Sequence, residues 1–384
     1  MRQAQRLRPA GDRSLLEAID GAFAFVSREV RYVAIEIGLG SFRPHPPADV
    51  LRNRFGDCKD KTFLLRAILD TWGIPSYPVL VRTRNLGPLA EDAPSAAPFN
   101  HVVLAVRLPE GVGGDAWSVS AIEGLGRLLF LDATVGEGTA WDLRGDVQGT
   151  VALVVHPGGG TLVRLPVQPP EASSVRLTLQ ARLDEHGVNQ AATIERLSSG
   201  WEAVVARSRA GRSLDESRGR TEREVQAWLP GAVIRERRIE GLDRPRAPVR
   251  EILRLEGGRI GKRVGEILVV EPARGALPLL GRGLPDSTRR SSLDIGLPRE
   301  ETIEVRIDLP PGWLPEQIPP PAAVAATDLS ASSAWSFEDG SLSYRRTARL
   351  LSAEVTPERY EEFREAVRRV RGEDDRPVIV RRGE

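Results

Sequence analysis

The sequence predicts a mixed α+β protein in which a cysteine-bearing helix packs on an antiparallel sheet, followed by further α+β and β-rich segments. Three observations carry this prediction. Residues 57–73 show the clearest helical pattern in the chain, several later segments alternate apolar and polar residues, and no regular strand–helix alternation runs through the sequence. A helix followed by consecutive strands is typical of α+β folds rather than of a parallel α/β sheet.

The length of the chain and two segments rich in proline and glycine predict three domains. A chain of 384 residues is long for one domain and has ample length for hydrophobic cores. Two stretches rich in proline and glycine, residues 157–170 and 271–298, are typical of domain connections. We therefore expect an α+β core over residues 1–165, an α+β domain over 166–272, and a β-rich domain with a terminal helix over 273–384.

The composition excludes several classes of partner and cofactor. A net charge of +1, with 41% hydrophobic and 28% charged residues, is typical of a globular protein whose charges alternate in sign. A general nucleic-acid or acidic-membrane binder needs a concentrated basic surface, and no apolar run approaches the roughly 18 residues of a membrane-spanning helix. No His or Cys pair has metal-ligand spacing, and residues 158–160 lack the lysine of a phosphate-binding loop. We expect no nucleic acid, no integral membrane segment, no metal and no cofactor.

The helix that begins near residue 57 is the best-defined predicted element. Asp57 is a good N-cap, and Asp60 three residues later completes a pattern like a capping box. Gly73 and Pro75 are typical of a helix end, since glycine supplies a left-handed cap and proline prevents continuation. The apolar residues between them define a buried face: Leu64, Leu65, Ile68, Leu69 and Trp72.

The other predicted elements surround this helix and fill the later domains. Helices are expected from Ser14, from Pro47, over residues 201–209 and 214–229, and over 356–371. Strands are expected over residues 32–37, 77–83, 101–108, 128–132, near 233, and over 252–255, 267–270, 302–309 and 378–380. Hairpins are expected over residues 175–197 and over 336–350, the second with an Asp339-Gly340 turn.

Cys58 is the only cysteine in the chain, and its surroundings favour a nucleophile. A lone cysteine is by default a small buried hydrophobe. Its neighbours here are polar or small instead: Gly56, Asp57, Lys59, Asp60 and Lys61. A first-turn position places the sulfur near unpaired N–H groups and the positive end of the helix dipole, which favours thiolate. The same N–H groups would stabilise the oxyanion of a tetrahedral intermediate.

His101 is the best candidate for a general base among four histidines. It opens an apolar strand, whereas His45, His156 and His186 occupy a proline-rich loop, a predicted domain boundary and a hairpin turn. The alternative is a strand-edge histidine with no role. Because Cys58 lies upstream in the same predicted domain, we favour the general base.

Asp132 is the best candidate for the group that orients His101. It ends a hydrophobic strand, where its side chain can face a neighbouring strand, although an aspartate that forms a turn is common there. Asp142 and Asp115 are weaker candidates because neither directly ends an apolar strand. Cys58 as nucleophile, His101 as base and Asp132 as the group that orients the base would form a catalytic triad.

Four further residues are candidates for supporting roles: Tyr32, Asn53, Asp57 and Lys59. Tyr32 or Asn53 would donate a side-chain hydrogen bond to an oxyanion. A lysine at a helix start opposes the dipole. We therefore weigh two interpretations of Lys59 and Lys61: a charge that holds the thiolate or pairs with Asp57 or Asp60, and simple solubility.

Three motifs together resemble those of bacterial transglutaminase-like proteins. They are Gly56-Asp57-Cys58-Lys59-Asp60-Lys61, Phe99-Asn100-His101 and Leu131-Asp132-Ala133-Thr134. The resemblance is specific over residues 18–153 and weaker over the rest, including residues 357–363. It implies a papain-like α+β core with Cys58, His101 and Asp132 as the catalytic triad. The most similar branch commonly carries an uncharacterised β-rich domain before that core.

Two features depart from the family pattern. Ala133 stands where a proline usually follows the triad aspartate, and residues 111–128 lengthen the segment between His101 and Asp132. The chain also begins where the preceding β-rich domain of that branch would end. If Met1 is the native start we expect a cytoplasmic protein, and if an N-terminal domain and leader are missing we expect a periplasmic or secreted one.

The resemblance implies acyl transfer or hydrolysis on a protein or peptide amide through a thioester on Cys58. Water as the acceptor would make the protein a protease or amidase, and a primary amine would make it a transglutaminase. Two other functions stay open: a catalytically weak or inactive binding module with the same core, and a small-molecule acyltransferase that uses the same triad.

Overall fold

The computed structural model describes residues 14–34, 43–89, 97–211, 214–276, 284–285 and 288–383. Contacts between residues divide the chain into two units, Met1–Gln168 and Pro169–Glu384. Each unit combines helices with β-sheets, and strands outnumber helices. The predicted mixed α+β class is confirmed.

Three helices of unit 1 begin or end where the sequence signals indicate. They are α1 (Leu15–Glu29), α2 (Pro47–Asn53) and α3 (Cys58–Thr71). Helix α1 begins with a capping box between Ser14 and Glu17. Helix α3 is followed by Gly73 at φ 73°, a left-handed conformation that favours glycine. Both helices bury one apolar face: Ile19, Ala22, Phe23 and Val26 on α1, and Leu64, Leu65, Ile68 and Leu69 on α3.

The strands of unit 1 form a small parallel pair and one antiparallel sheet. The pair joins β1 (Arg31–Tyr32) to β2 (Phe55–Gly56). The sheet has the order β5-β6-β4-β3-β7-β8. Its strands are β3 (Ser76–Val81), β4 (His101–Leu108), β5 (Val119–Ile122), β6 (Gly126–Leu131), β7 (Val151–His156) and β8 (Gly159–Arg164). Helix α3 packs on β3 and β4.

Two segments of unit 1 differ from the predicted secondary structure. The predicted strand over residues 32–37 is observed only as β1, and residues 35–37 lie outside the described residues. Residues 157–170 were interpreted as a connection between domains, yet Gly159–Arg164 is strand β8 and pairs with β7. The glycines at 158–160 form the turn and the start of this hairpin. A run of glycines is typical of both a turn and a linker, and the sequence alone does not distinguish the two.

Unit 2 contains an eight-stranded sheet in the order β11-β12-β10-β9-β16-β20-β19-β18. Its strands are β9 (Ser174–Leu183), β10 (Asn189–Ser199), β11 (Ala232–Glu240), β12 (Val249–Gly257), β16 (Arg299–Asp308), β18 (Ala322–Ala325), β19 (Leu329–Glu338) and β20 (Ser341–Leu350). The predicted Asp339-Gly340 turn joins β19 to β20, with both residues at positive φ.

The remaining elements of unit 2 cover this sheet. A four-stranded sheet contains β13 (Gly261–Val264), β14 (Ile267–Val270), β17 (Trp313–Pro315) and β22 (Val378–Arg382), and a short pair joins β15 (Leu293–Asp294) to β21 (Glu354–Val355). The helices are α4 (Trp201–Ala210), α5 (Leu214–Trp228) and α6 (Tyr360–Asp374). One hydrophobic core includes Leu179, Trp228, Leu253, Leu268 and Val380.

The domain boundary expected at residue 272 falls inside unit 2. Strand β9 from the second predicted domain pairs in parallel with β16 from the third, for example at Val175 and Glu301. Both sides of that boundary therefore contribute to one sheet and one hydrophobic core. The boundary expected at residue 165 lies close to the observed division after Gln168.

Among the described residues, none of the helices combines the length and apolar character needed to cross a lipid bilayer.

We predict that Leu65→Ala lowers the free energy of unfolding of unit 1 by about 2–5 kcal/mol, because the substitution leaves a cavity beneath α3. Leu65 is 0% exposed. The matched control Leu86→Ala removes the same atoms from a side chain that is 45% exposed, and should change that free energy by about 1 kcal/mol or less. Urea unfolding followed by circular dichroism measures both, and equal losses for the two variants would contradict the packing described here.

Candidate active site

The start of helix α3 places Cys58 as its first residue. Asp57 is the N-cap, and its Oδ1 accepts a hydrogen bond from the N–H of Asp60 at 3.1 Å. The N–H of Asp57 donates in return to Asp60 Oδ2 at 3.3 Å, which completes the predicted capping box. These reciprocal bonds fix the direction in which the chain enters the helix, and Cys58 is held there at 7% exposure.

The two lysines beside Cys58 are both buried and both have partners. The ammonium of Lys59 forms an ion pair with Asp57, as one interpretation of the sequence predicted. Lys61 Nζ donates instead to the carbonyl oxygens of Ser27 at 3.0 Å and Val30 at 2.8 Å. These carbonyls belong to the end of helix α1, where a positive charge is favourable. Lys61 therefore ties α1 to α3.

Asp60 connects the same helix start to the segment before α2. Its Oδ1 accepts the N–H of His45 at 2.8 Å, and its Oδ2 lies 3.0 Å from His45 Nδ1. Gly56 permits this arrangement, since a Cβ there would lie 2.6 Å from Asp60 Cβ. His45 lies in the expected proline-rich loop with its side chain 63% exposed, and its contact with Asp60 ties that loop to the helix start.

His101 and Asp132 come from neighbouring antiparallel strands. His101 is the first residue of β4, and Asp132 directly follows β6. The two strands pair with Leu104 opposite Leu131, so the start of β4 lies beside the residues that follow β6. Both side chains are buried, His101 at 4% and Asp132 at 0% exposure.

His101 is the link between Cys58 and Asp132. Its Nε2 lies 2.7 Å from Asp132 Oδ2, and an interaction with the side chain of Cys58 contributes to the raised pKa of His101. Since Nε2 faces the carboxylate, Nδ1 is the ring nitrogen left for the sulfur. Asp132 Oδ1 accepts from the N–H of Thr134 at 2.9 Å and from its hydroxyl at 2.6 Å. Both carboxylate oxygens therefore have partners.

The charges of this pair are mutually stabilised. Burial alone would lower the pKa of His101, but the charge and hydrogen bond of Asp132 raise that pKa to about 9. Burial likewise opposes ionisation of Asp132, yet His101 and Thr134, with the nearby charge of Arg144, lower the pKa of that carboxyl to about 2. At neutral pH the site therefore holds an imidazolium and a carboxylate.

Thr62 and Asn100, which were not among the predicted site residues, hold helix α3 and the neighbouring strands in register. Thr62, one turn after Cys58, donates its hydroxyl to the carbonyl of Val102 at 3.1 Å. Asn100 accepts the N–H of Thr83 at 2.9 Å and donates to its hydroxyl at 2.8 Å. One partner in each case, Val102 or Asn100, is a direct neighbour of His101 in sequence. The Phe99-Asn100-His101 motif was the available signal for Asn100, whereas Thr62 had none beyond its helical spacing.

Arg144 is a further charged group near the site that the sequence did not indicate. Its guanidinium binds both carboxylate oxygens of Asp146 at 2.6 and 2.5 Å, and its charge acts on Asp132 and His101. Because Arg144 follows Asp132 by twelve residues in an irregular segment, no periodic pattern marked it.

The four predicted supporting residues lie near the start of α3 or in the elements before it. Asp57 and Lys59 pair with one another at the helix start. Tyr32 pairs with Gly56 across β1 and β2, and Asn53 is exposed at the end of α2. A direct role for any of these in holding an oxyanion stays a prediction. Asp142 accepts hydrogen bonds from Thr139, and Asp115 is exposed, so the described partner of His101 is Asp132.

Within the described residues, no group of three or more His, Cys, Asp or Glu side chains is arranged to hold a metal ion.

Comparison with known proteins links the chain to one family over part of its length. A family described as a domain of unknown function with solved structure (DUF3858) matches residues 281–380, in unit 2. No curated protein matches the chain.

A solved structure shares the fold. The crystal structure of "a putative protease from Parabacteroides distasonis ATCC 8503" is similar over 99% of this chain, with a TM-score of 0.54 and 13% sequence identity. The chain spans about half of that protein, covering 54% of its length. At this identity the similarity concerns the fold alone.

We predict that the His101–Asp132 pair makes stability depend on pH. A histidine whose pKa rises from 6.5 to about 9 on folding contributes stability that is complete below pH 6.5 and lost as pH rises through 9. In a Cys58→Ser background, which removes the thiol titration, the free energy of unfolding should fall on the order of 3 kcal/mol over that range, since one pKa unit corresponds to about 1.4 kcal/mol.

Chemical denaturation at a series of pH values measures this loss. Adding His101→Gln to the same background should remove most of the slope, because glutamine does not titrate. His156→Gln, which changes a histidine of the β7–β8 hairpin, should leave the slope in place. Equal slopes with and without His101 would contradict the assigned charge states.

Proposed function

We propose that this protein hydrolyses an amide bond of a protein or peptide through a thioester on Cys58. The observation that carries this proposal is the buried pair of His101 and Asp132, 2.7 Å apart, together with the effect of the Cys58 side chain on the pKa of His101. The same three roles define thiol-dependent acyl transfer on unrelated folds. Cys58 would be the nucleophile, His101 the acid and base, and Asp132 the group that orients His101.

The charge state of His101 supports an ion pair as the resting form. An imidazolium next to the sulfur favours thiolate, and the start of helix α3 adds the positive end of its dipole. Asp132 keeps the imidazolium charged and fixes which ring nitrogen faces Cys58.

In the first half-reaction the thiolate attacks the amide carbonyl carbon and a C–S bond forms. The electron pair of the C=O bond moves to oxygen and produces a tetrahedral oxyanion. Collapse of that intermediate breaks the C–N bond, and His101 gives its proton to the departing amine. The products of this step are a free amine, a neutral His101 and a thioester on Cys58.

In the second half-reaction neutral His101 accepts a proton from water, and the water oxygen attacks the thioester carbonyl. A C–O bond forms, the C–S bond breaks, and the sulfur leaves as thiolate beside the regenerated imidazolium. The product is a carboxylic acid, and both catalytic groups return to their starting states.

Two backbone donors are well placed for the oxyanion. The capping box engages the N–H of Asp60, and the N–H of Lys61 donates to Asp57 O at 3.0 Å. Among the described hydrogen bonds, none occupies the earlier N–H groups of Cys58 and Lys59. Since first-turn N–H groups have no partner within their own helix, we assign these two donors to the oxyanion.

The comparisons support the same class of chemistry. The family matched by residues 281–380 is often linked with transglutaminase-like proteins, and the structurally similar protein is described as "a putative protease". A helix that carries the nucleophile and packs on the sheet that carries His101 and Asp132 is the arrangement of a papain-like core. Water rather than an amine is proposed as the acceptor because the similar protein is named for proteolysis.

We predict that iodoacetamide labels Cys58 rapidly at pH 6 to 7. An ordinary thiol reacts appreciably only above about pH 8, whereas an ion pair with His101 keeps thiolate at lower pH. His101→Gln should shift the labelling profile upward towards that of an ordinary thiol. Since Cys58 is the only cysteine, mass spectrometry of the intact protein measures the rate without other sites. Labelling only above pH 8, or none in the folded protein, would contradict an activated nucleophile open to substrate.

We predict that a peptide library incubated with the protein in ¹⁸O-labelled water yields new carboxyl groups that carry the label. Cys58→Ala should abolish cleavage, and Asp132→Asn should reduce it by about 10²–10⁴-fold because the carboxylate no longer holds the imidazolium. Lys262→Arg, far from Cys58 in sequence and in unit 2, is a control that should cleave normally. Incorporation of an added primary amine instead of water would replace hydrolysis with acyl transfer, and modification of neither kind would favour the binding-module alternative.

A further inference from the structure

A cavity of about 490 Å³ lies in unit 2, outside the candidate active site. One wall is the face of the sheet formed by β10, β11 and β12, and the other is formed by helices α4 and α5. Its volume is within the range of small-molecule sites. Nothing in the proposed hydrolysis uses this cavity.

The cavity is lined by an unusual number of charged groups. Five arginines and four glutamates contribute to its walls: Arg196, Arg209, Arg220, Arg223 and Arg237, with Glu202, Glu216, Glu224 and Glu251. Two of the carboxylates pair with arginines of the strands. Glu224 of α5 lies 2.7 Å from Arg196, and Glu251 of β12 lies 2.7 Å from Arg237. The strand arginines Arg196 and Arg237 are therefore in ion pairs.

The helix side of the cavity differs, because Arg209 and Arg220 have no such partners. Among the described residues, neither guanidinium forms a hydrogen bond or an ion pair. Burial lowers the pKa of Arg209, the charge of Glu202 opposes this shift, and the positive charge of Arg220 adds to it. Both guanidinium groups line the cavity, and neither is held by a described hydrogen bond.

Two further features point to a ligand. Arg196 Nε is buried and has no hydrogen-bond partner, although its terminal nitrogens bind Glu224 and Glu251. Buried polar atoms without a partner are uncommon in folded proteins. Apolar side chains of Val175 and Val249 line the same cavity beside the hydroxyl-bearing Ser198 and Thr221. The walls therefore offer both charged donors and an apolar surface.

We propose that this cavity binds a small organic anion whose carboxylate or phosphate group is held by Arg209 and Arg220. Guanidinium groups present paired N–H donors that match the geometry of both oxyanions, and neither group has a described hydrogen bond that a ligand would have to displace. The non-ionic part of the ligand would lie against Val175 and Val249. This site is independent of Cys58 and gives unit 2 a binding role of its own.

Isothermal titration of the full chain with phenyl phosphate and with phenylacetate tests the proposal. Each probe joins an aromatic body to one of the two oxyanions, so the pair distinguishes phosphate from carboxylate recognition. We expect one-to-one binding of at least one probe with a Kd of about 1 mM or tighter. Arg209→Gln and Arg220→Gln should each weaken it by about 10- to 100-fold, since each removes a charge-assisted hydrogen bond.

Arg218→Gln is the matched control, because Arg218 lies on the same helix but is 77% exposed and pairs with Glu222 outside the cavity. It should leave Kd unchanged. Without ligand, Arg209→Gln should leave the melting temperature nearly unchanged, since Arg209 is exposed and forms no hydrogen bond or ion pair among the described residues. Binding of neither probe, equal weakening by Arg218→Gln, or unfolding of the Arg209→Gln variant would each overturn the proposal.

Discussion

The buried charges at the start of helix α3 are the constraint on which unit 1 depends. Within five residues the chain buries Asp57, Lys59, Asp60 and Lys61. Removing such groups from water is costly unless each one is paired. Their partners come from the capping box, from the end of α1 and from the segment before α2. Satisfying these four charges therefore fixes three helices relative to one another, and Cys58 lies in the middle of the group.

The geometry of the proposed triad follows from that constraint and from the sheet. The antiparallel pairing of β4 with β6 brings His101 beside Asp132 without any special loop. Helix α3 could still slide along the sheet, because apolar packing has little directional preference. The bond from Thr62 to the carbonyl of Val102 is directional and lies one turn from Cys58 and one residue from His101. It sets the position of the sulfur relative to the imidazole.

Much of this arrangement could be predicted because its signals are local. The capping box at Asp57, the strand that begins at His101 and the Asp339-Gly340 turn each depend on a few adjacent residues. The parallel pairing of β9 with β16 across residue 272 joins segments more than a hundred residues apart, and such pairing leaves no periodic trace in the sequence. The contact between His45 and Asp60 joins a loop to a helix start, so no periodic pattern marks it either. Long-range partners depend on the fold, and a sequence pattern does not contain them.

The structure explains why residues 59 and 61 are lysines. The explanation also limits which side chains can take part in the proposed catalysis. A lysine ammonium is compact and can donate to two carbonyl groups that converge on one point, as Lys61 does at Ser27 and Val30. The planar fork of arginine suits a carboxylate bound through both oxygens, as in the pair of Asp146 with Arg144. Because Lys61 stabilises the helix junction and Lys59 neutralises Asp57, neither charge is free to act on a substrate. The chemistry proposed for this site must then come from Cys58, His101 and Asp132, with the backbone N–H groups of the first helical turn.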